Sequence, residues 1–225
     1  MKSITVVIPA FNEENTIIET VQAVQKLAYI DKILVVDDGS TDQTAELAQQ
    51  MGAVVIRMRP NRGKGGAMNA ALTHIETDIV AFIDADLGAC AEQVSLILQP
   101  IINEEADLAI AAFPPAQKKG GFGLVKGTAR RAIKKAGQIE VVSPLSGQRA
   151  MTREVLQAVT PFHEAYGVEL GMTIRALQKG FKIVEVPTTM SHKETGRDLK
   201  GFLHRGRQFI DVIRVIKEET GGKKR

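Results

Sequence analysis

The chain has 225 residues, 44% of them hydrophobic and 24% charged, with 20 Gly and 8 Pro. That profile fits a compact folded domain and excludes a disordered, fibrous or repeat protein. Its apolar runs, such as Ile79 to Ile83, fall far short of the roughly 18 to 20 residues a membrane span requires. ITVVIPAFNEE appears directly after the start, without the basic and apolar regions of a secretory leader, and the lone Cys90 cannot close an internal disulfide. Both features lead us to expect a reducing cytoplasm. The net charge of +3 conceals an asymmetry: residues 1–114 carry 7 Lys and Arg against 16 Asp and Glu, whereas residues 115–225 carry 22 against 10. The basic back half has the charge of something that meets an anion: a phosphorylated small molecule, a lipid phosphate, a membrane surface or nucleic acid.

Ile4 to Ile8, β-branched and followed by Pro9, predicts a strand buried on both faces. Ile17, Val21, Val24 and Ala28 recur at helical spacing and predict an amphipathic helix that begins near Asn12 to Asn15. Lys32 to Val36 is a second buried strand, ending in Asp37 and Asp38. Ser40 with Gln43 reads as a capping box for the next helix and Gly52 as its stop. Ala53 to Met58 predicts a third strand, Lys64 to Ile75 a helix, and Asp78 to Ile83 a fourth strand ending in Asp84. Glu92 to Asn103 reads as helix and Leu108 to Ala112 as strand. PPAQKKGGFGLVKG then reads as a mobile loop leading into a basic helix that ends near Gly137. A helix from about Glu164 to Gln178, a strand from Lys182 to Val186 and a basic helix from about Leu199 to Glu218 complete the chain. This alternation predicts an α/β fold with a mostly parallel, Rossmann-like sheet, helices on both faces, and ligands at the carboxyl ends of the strands. With no repeat or linker, residues 1–225 read as one domain whose character changes near residue 114.

The chemistry-bearing residues fall at those strand ends. In Asp84-Ala85-Asp86, carboxylates two positions apart on an extended chain project to one side. They can share a hard cation that keeps water and phosphate oxygens as its other ligands. A solvated turn is the bland alternative, but the position directly after an apolar strand favours a site. In Asp37-Asp38-Gly39-Ser40 one acid would suffice to cap a helix. The second leaves a carboxylate for the crevice, where it can accept from a uracil imide or a ribose hydroxyl. Pro9-Ala10-Phe11-Asn12-Glu13-Glu14 brings more acids and an aromatic to the same rim. Asn61-Arg62-Gly63-Lys64-Gly65-Gly66-Ala67 opens a helix, where glycines permit close approach and Lys64 at the N-terminus favours a phosphate. Neither GxxxxGK[ST] nor GxGxxG after the first strand is present, which argues against a nucleotide triphosphatase and a dinucleotide dehydrogenase.

In this order and at these intervals, PAFNEE, VVDDGSTDQT, NRGKGGAMNAAL and FIDADLG resemble glycosyltransferase family 2, nucleotide-sugar enzymes of the GT-A fold. The match spans roughly residues 4 to 90 and is specific as a set. Ser146 to Met151 is similar to the SGFRA-type segment of polyprenyl-phosphate sugar synthases, with Gln148 in place of the usual aromatic. Ala165 to Leu170 and Ser191-His192-Lys193 are similar to glucosyl-3-phosphoglycerate synthases and their relatives. The resemblance implies metal-dependent transfer from a nucleotide-sugar, expected to be UDP-linked, to an anionic acceptor such as a polyprenyl phosphate or a phosphorylated small molecule. It assigns Pro9, Ala10, Phe11, Glu13 and Asp38 to base and ribose, Lys64 to base or diphosphate, and Asp84 to ribose or the metal shell. It assigns Asp86 to Mg²⁺ or Mn²⁺, with His192 as a further metal ligand. Without the resemblance, a histidine after a strand reads as a hydrogen-bonded structural residue. Glu169, near the start of an apolar helix, is open to three readings: general base, acceptor-binding group, or helix-start acid stabilised by the dipole. Inverting family members usually carry an ED pair where this chain has Val168-Glu169.

Lys118, Lys119, Lys126, Arg130, Arg131, Lys134 and Lys135 occur with no acid between Phe113 and Ile139, opposite an apolar face through Phe122, Val125, Ala129 and Ile133. Such a segment either lies peripherally on the inner face of a membrane or packs on the core with a solvated outer face. Arg197, Lys200, His204, Arg205 and Arg207 could clamp a phosphate or carboxylate of donor or acceptor. Phe202, Leu203, Phe209, Ile213 and Ile216 would pack their helix or form a homodimer seam. Nucleic acid is set aside, since aromatics are only 4% and no binding motif is present. Two alternatives remain at this level: a sugar-1-phosphate nucleotidyltransferase, whose Gly-rich, Arg-containing loop is replaced by PAFNEE, and a non-catalytic nucleotide-sugar-binding module.

Overall fold

The computed structural model describes residues 2–113, 123–164, 167–190 and 199–221, with side chains from Val125 and Ile210 onward in the helices that begin at 123 and 199. The strands are β1 (Ile4–Ala10), β2 (Lys32–Asp37), β3 (Val54–Arg57), β4 (Ile79–Phe82), β5 (Leu108–Ala112), β6 (Arg149–Thr152) and β7 (Ile183–Pro187). The helices are α1 (Ile17–Gln25), α2 (Thr44–Gln50), α3 (Gly63–Ala71), α4 (Val94–Ile102), α5 (Gly123–Gly137), α6 (Arg153–Val159), α7 (Val168–Gln178) and α8 (Leu199–Gly221). One 7-stranded sheet has the order β3-β2-β1-β4-β6-β5-β7. Its strands are parallel except β6, which runs antiparallel to both β4 and β5.

Strand alternation builds two cores from one sheet. Val6, Ile8, Val35, Ala81 and Ile83 meet Ile17, Val21 and Val24 of α1 and Val94, Ile97 and Leu98 of α4. Val7, Leu34, Val36, Val80 and Phe82 point the other way, onto α3, α6 and α7. Successive residues face opposite sides of a pleated strand, so these near-continuous apolar runs must be covered on both faces. A third cluster joins Val125, Ala129 and Ile133 of α5 to Leu170 and Ile174 of α7 and Val212 and Val215 of α8. The apolar face of α5 is therefore buried within the protein. No helix of the described residues is long and apolar enough to cross a membrane.

Three expectations need correction. Ser40 does not cap α2: that helix starts at Thr44, where Asp42 Oδ1 accepts from the Thr44 amide at 3.0 Å, while Ser40 Oγ accepts from the Asn12 amide at 2.9 Å. Asn12 sits at φ 55, in the left-handed region, and this cross-link holds the turn after β1 there. Strand β6 and helix α6 lie where no element was predicted, because RAMT has no apolar alternation; Thr152 Oγ1 caps α6 by accepting from the Val155 amide. Along α8 the fully packed positions are Val212 and Val215, not Ile213, while Ile216 is partly buried beside them. Phe202, Leu203 and Phe209 are among the residues whose side chains are not described.

Candidate active site

Four elements deliver side chains to one point at the carboxyl edge of the sheet. Asp84 follows β4, Lys64 is the second residue of α3, Gly147 and Gln148 precede β6, and Glu169 lies in the first turn of α7. Lys64 Nζ is 2.5 Å from Asp84 Oδ1 and 3.2 Å from Glu169 Oε1. Gln148 Nε2 donates to the second Asp84 oxygen at 2.7 Å. Burial alone would lower the pKa of Lys64, but the charges of Asp84 and Glu169 outweigh it and hold the ammonium above its ordinary range. Lys64 is thus a fixed cation between two carboxylates. Gly147 is required by proximity, since a Cβ there would lie 2.8 Å from Asp84 Oδ2 and would overlap Lys64 Nζ.

Neighbouring loops aim this cluster. The residue before Lys64 follows a turn held by Asp38, whose Oδ1 accepts from the Arg62 amide at 2.8 Å. Burial raises the pKa of Asp38 and the Arg62 and Gly63 amides oppose that rise. Asp38 therefore turns toward the Lys64 loop. Asp37, whose Oδ1 accepts from the Ser40 amide at 3.3 Å, lines a cleft of about 560 Å³ with Gly39, Ser40, Met58 and Asn61. Gly65 seats α3 directly against the His163 carbonyl, where a Cβ would overlap it. Asn69 pins the same loop, donating to the Phe162 carbonyl at 2.9 Å and accepting from its amide at 2.8 Å.

The turn after β1 supplies the other wall. Pro9 and Ala10 end that strand, the Ala10 carbonyl accepts from the Asp38 amide at 2.9 Å, and Phe11 is 47% exposed. The Glu13 amide donates to Thr44 Oγ1 at 2.8 Å and its carboxylate accepts from Thr16 Oγ1 at 2.7 Å. Burial raises the Glu13 pKa; the Thr16 hydroxyl opposes this, and the charges of Asp86, Asp42 and Asp84 add to it. The acids of both turns therefore share one electrostatic environment. The Asp84–Gly88 turn is fixed to α1 by buried Thr20, whose hydroxyl donates to the Ala85 carbonyl at 2.8 Å and accepts from the Gly88 amide at 2.9 Å.

Among the described residues no group of three His, Cys, Asp or Glu is gathered to hold a metal. Asp84 is engaged by Lys64 and Gln148. Asp86, two residues on, also has a partner within the protein, and as a hard oxygen donor it suits a divalent cation sharing its shell with water and phosphate oxygens. His192 and Arg197 lie outside the described residues. Sequence reasoning missed Thr20, Thr173 and Glu185, each a polar residue on an apolar element, and met Arg149 only as part of the Ser146–Met151 segment, without a role. It noted Gln148 only as a departure from a pattern.

Residues 5–160 match glycosyl transferase family 2. The chain belongs to that family. It is 34% identical over 229 residues to an uncharacterized protein of Methanocaldococcus jannaschii, covering 95% of this chain and 89% of the relative. It is 32% identical over 193 residues to glucosyl-3-phosphoglycerate synthase of Mycolicibacterium smegmatis, covering 77% of this chain but only 63% of the synthase. The solved Mycobacterium tuberculosis glucosyl-3-phosphoglycerate synthase superimposes with TM-score 0.82 and 29% identity in its complex with Mg²⁺ and UDP, over 98% of this chain and 80% of that one. The same enzyme with Mn²⁺, UDP-glucose and phosphoglyceric acid gives TM-score 0.80 and 30% identity at the same coverage. The fold is therefore GT-A and the protein a glycosyltransferase.

Proposed function

We propose that this glycosyltransferase moves a hexosyl group from a UDP-sugar to a small phosphorylated acceptor of the phosphoglyceric acid type, with Mg²⁺ or Mn²⁺ bound beside the donor. The observation that carries the reading is the convergence of Lys64, Asp84, Gln148 and Glu169 on one point. There the acidic half of the chain, residues 1–114, meets the basic half, residues 115–225. The mycobacterial complexes with UDP-glucose and phosphoglyceric acid support the choice of donor and acceptor class.

In this reading Pro9, Ala10, Phe11 and Glu13 form the wall for base and ribose, Phe11 offering its exposed ring and Asp38 holding the opposite loop. Asp86 holds the metal together with the diphosphate, and the metal supplies Lewis-acid stabilisation of the departing nucleoside diphosphate. Lys64 adds a second positive charge beside that leaving group, released to it from Asp84 and Glu169. Glu169 is 8% exposed and lies 3.2 Å from Lys64 Nζ, which favours a role in the site, as base or acceptor ligand, over that of a helix-start acid stabilised by the dipole alone. The family resemblance assigns His192 to the metal, Arg197 would meet a phosphate, and both lie outside the described residues. Val125, Ala129 and Ile133 of α5 pack against α7 and α8, which supports the reading of that helix as part of the core with a solvated outer face. The test is transfer from UDP-glucose to 3-phosphoglycerate with Mn²⁺, followed by UDP release and product mass. Transfer to that acceptor is expected, and UDP release that no phosphorylated small molecule stimulates would refute the acceptor class.

A further inference from the structure

Among the described residues Arg149 is the largest fully buried side chain, at 0% exposure, and it is a charged one. Its strand partners across the sheet are Phe82 and Ile110, both fully buried. Among the described residues no carboxylate lies within ion-pair distance of its guanidinium. Burial draws its pKa down to about 10, opposed by the charges of Glu169 and Glu185. A buried cation without a direct counter-ion costs stability, and an apolar residue would pack there more favourably. What the guanidinium does hold is specific. Nε donates to the Ser146 carbonyl at 2.8 Å, Nη2 to the Pro144 carbonyl at 3.2 Å, and Nη1 to Thr173 Oγ1 at 2.7 Å. That hydroxyl in turn donates to the Glu169 carbonyl at 2.8 Å.

The same turn is gripped on its other side. Glu185 accepts from the Val142 and Ser143 amides at 2.6 and 2.7 Å, and Ser143 Oγ accepts from the Phe113 amide at 3.1 Å. An acid thus takes the amides of the turn and an arginine takes its carbonyls. The next two residues, Gly147 and Gln148, are those that touch Lys64 and Asp84. The fork geometry of a guanidinium, with donors fixed in one plane, suits two carbonyls of one turn and a hydroxyl of a helix beside it.

We propose that Arg149 is a positioning residue for sugar transfer: its buried fork ties the Pro144–Gly147 turn to α7 through Thr173, and so fixes Gly147 and Gln148 relative to Glu169. The inference rests on the glycosyl-transfer reading for its kinetic readout but not for its structural one. Thr173→Val is the test, because it keeps the side-chain shape, removes one acceptor of the fork and leaves Arg149 in place; Thr173→Ser restores the hydroxyl. Hydrogen exchange in the full chain should rise at least threefold at the Ser146, Gly147 and Gln148 amides in Thr173→Val, with β2 and β3 unchanged. UDP-glucose turnover with Mn²⁺ should fall about tenfold in kcat, while the UDP dissociation constant changes less than threefold and Thr173→Ser stays within twofold of wild type. Unchanged exchange at those amides in Thr173→Val would overturn the proposal whether or not turnover is measurable. Raised exchange with wild-type kcat, or a loss of kcat that Thr173→Ser does not rescue, would overturn it as well.

Discussion

Replacing Gly147 by alanine tests how closely the turn before β6 must approach the ion pair. An added Cβ would stand 2.8 Å from Asp84 Oδ2 and 3.0 Å from Oδ1, and would overlap Lys64 Nζ. Both neighbours are side-chain tips, so the backbone can stay and the cost in folding falls at the low end of overpacking, about 1 kcal/mol. For a chain of this size that corresponds to a fall in Tm of roughly 2–4 °C. The effect on the site is larger. Lys64 must leave the space between Asp84 and Glu169, and Asp84 must move by a few tenths of an ångström from Gln148. Misplacement of about 1 Å can cost on the order of 100-fold, so kcat/KM for UDP-sugar turnover should fall by about 10- to 100-fold. Gly127→Ala is the control: nothing lies within 4 Å of its added Cβ in the middle of α5. It should raise Tm by roughly 2–4 °C, since alanine gains up to about 1 kcal/mol over glycine within a helix, and leave turnover unchanged. The assay is differential scanning fluorimetry beside coupled UDP release. Wild-type turnover in Gly147→Ala would refute the reasoning.

Lys64→Met should lower UDP affinity and reduce turnover by about 100-fold or more, since Asp84 and Glu169 then face each other without the cation and the diphosphate loses a positive charge; titration calorimetry with UDP and Mn²⁺ checks this. Acid stability should depend on Glu219, whose carboxylate takes His163 Nε2 at 2.6 Å and Arg175 Nε at 2.7 Å and fastens the end of α8 to α7. Burial would raise its pKa, but His163 and Arg175 together hold it below the ordinary value of 4.5. A depressed folded-state pKa means that its stabilisation is complete above 4.5 and is lost as the pH falls through the lower, folded value. Glu219→Gln should therefore lower Tm at pH 7 and flatten the Tm profile below pH 4.5, read from thermal melts across that range.

The strands were legible where apolar and β-branched residues run nearly continuously, as from Ile4 to Ile8 and from Leu108 to Ala112, because a sheet covered on both faces leaves a continuous signature. The acids that end β2 and β4 stood out for the opposite reason, as charge placed directly against apolar strands. Strand β6 was not legible: its register with β4 and β5 is set by tertiary pairing, and Arg149 disguises a core position as a surface one. Ser40 misled because a capping pattern and a loop cross-link use the same hydroxyl chemistry, and only the turn at Asn12 decides between them. Gly147 could not be valued from sequence, since its demand comes from Lys64 and Asp84, which reach it from distant elements.

The central claim is that a UDP-sugar binds with a divalent cation at Asp86, beside the Lys64–Asp84 pair. The most direct measurement is UDP binding by calorimetry with Mn²⁺, Mg²⁺ or EDTA, in the wild type and in Asp86→Asn. The account predicts binding that needs the metal in the wild type and that falls by at least tenfold in Asp86→Asn, with that variant still folded by circular dichroism. Equal UDP affinity in Mn²⁺ and EDTA, or full metal-dependent affinity in Asp86→Asn, would contradict it.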